Sequence, residues 1–152
     1  MNSIVLTRTT SSSTDFQSLV KLLDAELKEY DGEEHTFYSH YNKIENIKHV
    51  VVAYIDNIPV GCGTIKEFSA DVAEVKRMYV TNEIRGKGIG RKILAELEKW
   101  ALELNYKYLI LETGKKQKEA VALYTNYGFE IIPNYGQYIG IDNSICFRKM
   151  LK

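Results

Sequence analysis

Arg85-Gly86-Lys87-Gly88-Ile89-Gly90 sets three glycines in alternation with a lysine and an isoleucine. The run stands where a stretch of β character ends and one with helical spacing begins. A helix start leaves about four backbone N–H groups without internal partners, and the aligned peptide dipoles put partial positive charge there. Glycine lets an anion approach such a backbone closely and tolerates positive φ. Arg85, Lys87, Arg91 and Lys92 surround the same point, and from Lys76 to Lys92 six basic residues stand against one acid, Glu83. This pattern points to a phosphate or pyrophosphate site. A tight turn with a basic, solvated rim is the plainer reading of an isolated Gly-x-Gly. Three alternating glycines and four neighbouring cations at a strand-to-helix junction favour the anion. No Walker A run is present, and a GxGxxG fingerprint beginning at Gly86 fails at Arg91.

Other reactive residues offer less. Cys62 and Cys146 are too few for a disulfide framework, and neither lies in a CxxC or metal-ligand spacing. Cys62, between Gly61 and Gly63, invites a covalent route, but no His or cation is arranged along the chain to lower its pKa. The surrounding glycines read as letting a hairpin bend or a ligand come close, and Cys146 reads as core. His35, His40 and His49 are too sparse for a metal site, so no metal is expected.

The elements that would carry these residues follow from apolar spacing. Ser3 to Thr10 reads as a strand. Phe16, Leu19, Val20, Leu23 and Leu27 predict an amphipathic helix over Asp15 to Tyr30, and Glu33 to Lys43 a second, short helix. His49–Tyr54 and Pro59–Phe68 form a hairpin about Asp56-Asn57. Val72–Val80 is a strand of the sheet's middle. In the helix after the glycines, Ile89, Ile93, Leu94, Leu97, Trp100, Ala101 and Leu104 fall on one face. Tyr106–Thr113 is a central strand, and Lys118–Tyr127 a helix closed by Gly128. Phe129–Ile132 and Ser144–Leu151 are terminal strands joined by a Gly/Tyr/Asn-rich loop. The order β-α-α-β-β-β-α-β-α-β-β predicts an α/β (α+β) fold with a mixed central sheet, in one domain over residues 1–152.

Composition agrees. With 152 residues, 45% hydrophobic and 26% charged, the chain can build a core, and roughly 68% of its unfolded surface is buried at this size. Twenty basic residues balance twenty acidic ones, which argues against a general nucleic-acid binder. No apolar run approaches the ~20 residues of a membrane helix, and Met1–Thr10 lacks the pattern of a signal peptide. A cytoplasmic protein is the expectation.

The glycine run matches the Arg/Gln-x-x-Gly-x-Gly/Ala motif of the GNAT acetyltransferase superfamily. Downstream, Ala120-Val121-Ala122-Leu123-Tyr124-Thr125-Asn126-Tyr127-Gly128-Phe129 resembles that superfamily's second signature, roughly Ala-x-x-Leu-Tyr-x-x-x-Gly-Phe. The two lie in the family's order about one strand, and the resemblance runs from about Val51 onward. It implies an acetyl-CoA-dependent transferase with the donor between two splayed parallel strands. On that resemblance, the stretch Arg85, Gly86, Lys87, Gly88, Ile89, Gly90 and Arg91 holds the pyrophosphate. The main chain of Met78, Tyr79 and Val80 pairs with the pantetheine arm as an added strand does. Gln117 stands where members often have a cofactor-contacting Asn. Tyr124 stands where many place the acid that protonates the departing thiolate; an aromatic of the core is the plainer reading.

A primary amine arrives as an ammonium and needs a base. The superfamily's use of strand carboxylates nominates Glu74, against the plainer reading of an exposed residue paired with a lysine; Glu67 and Glu112 are reserves. Asp24 to Glu34 holds six acids and one base, either an acceptor rim favouring cationic amines or a solvated helix face. Tyr38, Tyr41, Tyr135 and Tyr138 are candidates to wall a small pocket, and Pro133–Asn143 reads as a lid. The implied function is acetylation of a small-molecule amine by direct attack in a ternary complex. Acetylation of protein or peptide amines, and a non-catalytic acyl-CoA-binding regulator, are the rivals; a homodimer through the sheet edge is left open.

Overall fold

The computed structural model describes residues 3–31 and 46–152. The expected helix over Glu33–Lys43, with His35, His40, Tyr38 and Tyr41, lies outside the described residues. The elements are β1 (Ile4–Thr9), α1 (Thr14–Asp31), β2 (His49–Ile55), β3 (Ile58–Ser69), β4 (Val72–Val80), α2 (Ile89–Glu103), β5 (Tyr108–Gly114), α3 (Lys118–Tyr127), β6 (Glu130–Ile132) and β7 (Ser144–Met150). They build one seven-stranded mixed sheet in the order β1-β2-β3-β4-β5-β7-β6.

The continuous apolar run of β2 has a simple cause: both of its faces are covered. Val50 and Val52 point to α1 with Phe16, Leu19, Val20 and Leu23. Val51 and Ala53 point to the opposite layer, with Ile89, Ile93, Leu94 and Leu97 of α2. Asp56 and Asn57 both take positive φ, 51° and 65°, as a two-residue hairpin turn requires. The glycines flanking Cys62 are packing positions rather than bends. A Cβ on Gly63 would stand 2.5 Å from Met78 Sδ and 2.9 Å from Ile93 Cγ2, so their absence of side chains lets α2 lie on β3. Gly128 closes α3 with φ 109°, the left-handed cap the sequence predicts.

The C-terminal strands do not lie in chain order. β7 sits between β5 and β6, which leaves β6 as the edge. The connection between them is not a loose lid: Tyr138 is buried, and the Asn134 amide donates to the carbonyls of Tyr138 and Ile141, each at 3.1 Å. Tyrosine rings tucked inward tie this loop to the sheet.

Among the described residues no helix is long and apolar enough to cross a membrane. No cluster of three His, Cys, Asp or Glu side chains that could hold a metal occurs among them.

Candidate active site

β4 and β5 are the parallel pair of the sheet, and they stay paired only over Val72↔Tyr108, Ala73↔Leu109 and Glu74↔Ile110. Beyond Glu74 they part. What drives β4 away is a bulge at Arg77, whose φ is +60°, with the register against β3 shifting between Cys62 and Thr64. β3 satisfies the displaced carbonyls. Thr64 Oγ1 donates to the carbonyl of Lys76 at 2.9 Å, and Cys62 Sγ to that of Arg77 at 3.2 Å. The Arg77 guanidinium is buried and reaches Asp24 of α1 at 3.1 Å. Cys62 is therefore a strut: burial pushes its thiol up to about 12, which removes the thiolate that a covalent route would need.

The parted strands open a cleft with two chambers. The first, about 270 Å³, is lined by Met78, Tyr79 and Val80 of β4, by the loop residues Arg85, Gly86 and Gly88, and by Ile89, Gly90 and Arg91. The second, about 100 Å³, is lined by Glu74, Lys76, Arg77, Glu112, Thr113 and Tyr138 among others. Both share Leu23, Met78, Gln117, Ala120 and Tyr124. The junction of the chambers is where the second sequence signature puts its tyrosine.

At the first chamber the three glycines divide their work. Gly86 and Gly88 take φ of 83° and 80°, and a Cβ on either would meet nothing within 4 Å, so their use is conformational and they leave open space beside the backbone. Gly90 is different: a Cβ there would stand 3.1 Å from Leu123 Cδ2, so this glycine seats α3 against α2. Gly88 is the N-cap of α2, no side chain caps that end, and its first turn contains no acid. The opening N–H groups and dipole of a fifteen-residue helix thus face an open loop. A diphosphate fits there by charge, donor count and space. Lys87 is exposed at the loop. The Arg91 guanidinium lies over the Tyr127 ring at 5.0 Å. Arg85, in contrast, turns from the loop toward α1: it donates to both Glu26 carboxylate oxygens at 2.7 Å and, through Nε, to the Val80 carbonyl at 2.8 Å.

At the second chamber Glu74 is buried and accepts a hydrogen bond from the Tyr135 hydroxyl at 2.7 Å. Glu112 shares its face of the sheet, two residues beyond the Glu74 partner Ile110, and accepts from Ser144 Oγ at 2.7 Å. Lys76 lines the same chamber. Burial lowers its pKa, and the charges of Glu74 and Glu112 oppose that shift. Glu67, a reserve carboxylate, is exposed, bonds the Tyr106 hydroxyl and stands apart from the cleft. Tyr124 is buried against Phe129 and Phe147. Burial first, then the charge of Glu112, raises its pKa well above that of an ordinary phenol, so the hydroxyl keeps its proton. Gln117 is the N-cap of α3, and its side chain makes no capping bond.

Sequence reasoning named Asp24 and Glu26 only within an acidic stretch and Tyr135 only as a pocket wall, without their partners, and it missed Thr64. The six-acid stretch was the one signal for the first two. As a correction to the acceptor-rim expectation, Asp24 and Glu26 are engaged by arginines, and Glu26 lines the glycine-loop chamber.

A family model described as "Acetyltransferase (GNAT) family" matches residues 16–129. The IAA acetyltransferase of Azospirillum brasilense is 38% identical over 89 residues, 58% of each chain. YjgM, an uncharacterized N-acetyltransferase of Escherichia coli, is 39% identical over 85 residues, 54% of this chain and 50% of that one. The chain spans about half the length of such relatives. Among solved structures, a Klebsiella pneumoniae chain whose name gives acyl-CoA N-acyltransferase as its proposed activity has a TM-score of 0.83 and 27% identity, covering 98% of both chains. A GNAT family acetyltransferase from Elizabethkingia anophelis, solved with acetyl-CoA bound, covers 99% of this chain at a TM-score of 0.69 and 20% identity. The fold, the two signatures and the family match agree, and the chain belongs to the GNAT acetyltransferase family.

Proposed function

We propose that this protein transfers the acetyl group of acetyl-CoA to a primary amine of a small molecule, by direct attack within a ternary complex. The observation that carries the reading is the meeting of a chamber opening on the glycine loop with a second chamber lined by Glu74 and Glu112, at Tyr124 and Gln117. Acetyl-CoA supplies an acyl group already activated as a thioester. The backbone N–H groups of the Gly86–Gly90 loop and the first turn of α2 hold the diphosphate, with Lys87 and Arg91 adding positive charge. The free edge of β4 at Met78–Val80 offers main-chain groups to an extended arm.

An amine with a pKa of about 10 must lose a proton at neutral pH, a cost of ~3 units or ~4 kcal/mol. Glu74 accepts that proton, directly or through a water, and the Tyr135 hydroxyl orients its carboxylate. Tyr124, whose proton is retained at any physiological pH, donates it to the departing sulfur. A small acceptor suits a second chamber of about 100 Å³ walled by Tyr138. The two free, buried cysteines accord with a cytoplasmic setting.

The test is thiol release from acetyl-CoA across a panel of small amines, beside calorimetry with CoA. Release with at least one amine, at a rate set by Glu74 and Tyr124, is expected. Tight CoA binding with no release on any amine would replace the transferase by a ligand-sensing role.

A further inference from the structure

Glu26 and Glu119 both line the chamber assigned to the diphosphate, an odd place for two carboxylates. Arg85 stands between them. Its two terminal nitrogens take both oxygens of Glu26 at 2.7 Å, one of them lies 4.0 Å from Glu119, and Nε holds the Val80 carbonyl. The Arg85 and Glu26 side chains are only 25% and 21% exposed, so this contact is shielded from bulk solvent more than a surface pair. Each guanidinium nitrogen thus has a protein acceptor, which engages three of its five N–H donors away from the glycine loop.

We infer that Arg85 is a positioning residue which neutralises the carboxylates of Glu26 and Glu119 beside the diphosphate site and fastens the loop to α1, rather than a ligand of the phosphates. The inference rests on the acetyl-CoA reading above. It also accounts for the acidic end of α1. Asp24 holds the bulge through Arg77 while Glu26 holds the loop through Arg85, so one helix fixes both features that shape the donor site. Removing Arg85 would leave the part-buried Glu26 carboxylate without its partner beside an incoming polyanion, with Glu119, 81% exposed, adding a weaker, solvent-screened charge, a repulsion that added salt reduces.

The test is a double-variant cycle on the full chain, with CoA affinity read by calorimetry and folding checked by thermal melts. Arg85→Ala is expected to weaken CoA by ~10-fold at low ionic strength, and Arg85→Ala/Glu26→Gln to return affinity to within ~3-fold of the wild type. The Arg85→Ala deficit should shrink at about 0.5 M salt. Arg85→Gln, alone and with Glu26→Gln, repeats the cycle with a side chain that still donates to Val80 should the alanine variants fold poorly. A double variant as weak as the single one overturns the inference, because a direct phosphate ligand or a mere strut gives no rescue. An Arg85 variant that binds CoA like the wild type overturns it too. Failure of the wild type itself to bind CoA removes the donor-site reading and this inference together.

Discussion

In the proposed reaction, the buried phenol of Tyr124 at the junction of the two chambers delivers a proton that it does not lose beforehand. Tyr124→Phe is expected to lower kcat by ~10²-fold with little change in the KM for acetyl-CoA, the size of a lost general acid. Unaltered turnover in a steady-state assay would take Tyr124 out of the mechanism. Because its pKa is raised, the rate should not fall between about pH 7 and about 9 through loss of this proton. The Cys62 thiol carries a prediction for stability. Its folded pKa is about 12, against 9.0 for an unhindered thiol. The unfolded chain therefore releases this proton first, so the contribution is intact below pH 9 and declines as pH rises toward 12. Urea midpoints at about pH 8 and about pH 10.5 should show a smaller decline in Cys62→Ser than in the wild type. An equal decline in both would assign the effect to the buried tyrosines alone.

At the scale of elements, the glycines separate two kinds of demand. Gly63→Ala is expected to cost ~1–3 kcal/mol, because the new methyl group would drive into Met78, Ile93 and Leu97 where α2 meets β3. Gly88→Ala meets no neighbour, yet should cost ~1–2 kcal/mol through its left-handed backbone. Denaturant titrations of both variants check the pair, and a neutral Gly63→Ala would mean that α2 rides higher on the sheet. The helix faces, the Asp56-Asn57 turn and the glycine loop were legible in the sequence because each is set by local spacing or by a residue's own φ preference. The bulge at Arg77 was not, since nothing in Val72–Val80 breaks its β character; the bulge comes from contacts with Cys62, Thr64 and Asp24, remote in the chain. Tyr135 over Glu74 was hidden for the same reason, being 61 residues from its partner. The strand exchange of β7 and β6 depends on which edge can bury Phe147, which is a property of the assembled sheet.

For the whole molecule, the seam between β4 and β5 has a further consequence. A sheet normally exposes its unpaired peptide groups at its two outer margins, where any passing strand extends it. This one has a third margin inside, where β4 and β5 part, flanked by α1 and α3. Filling it closes the sheet instead of lengthening it. In the free protein, where three residue pairs join β4 to β5, the amide protons of Met78–Val80 that face the seam rather than β3 should exchange readily. CoA at 100 times its dissociation constant should raise global stability by about 2.7 kcal/mol and slow those amides the most. Hydrogen exchange that slows evenly across the chain would mean that the ligand seats elsewhere.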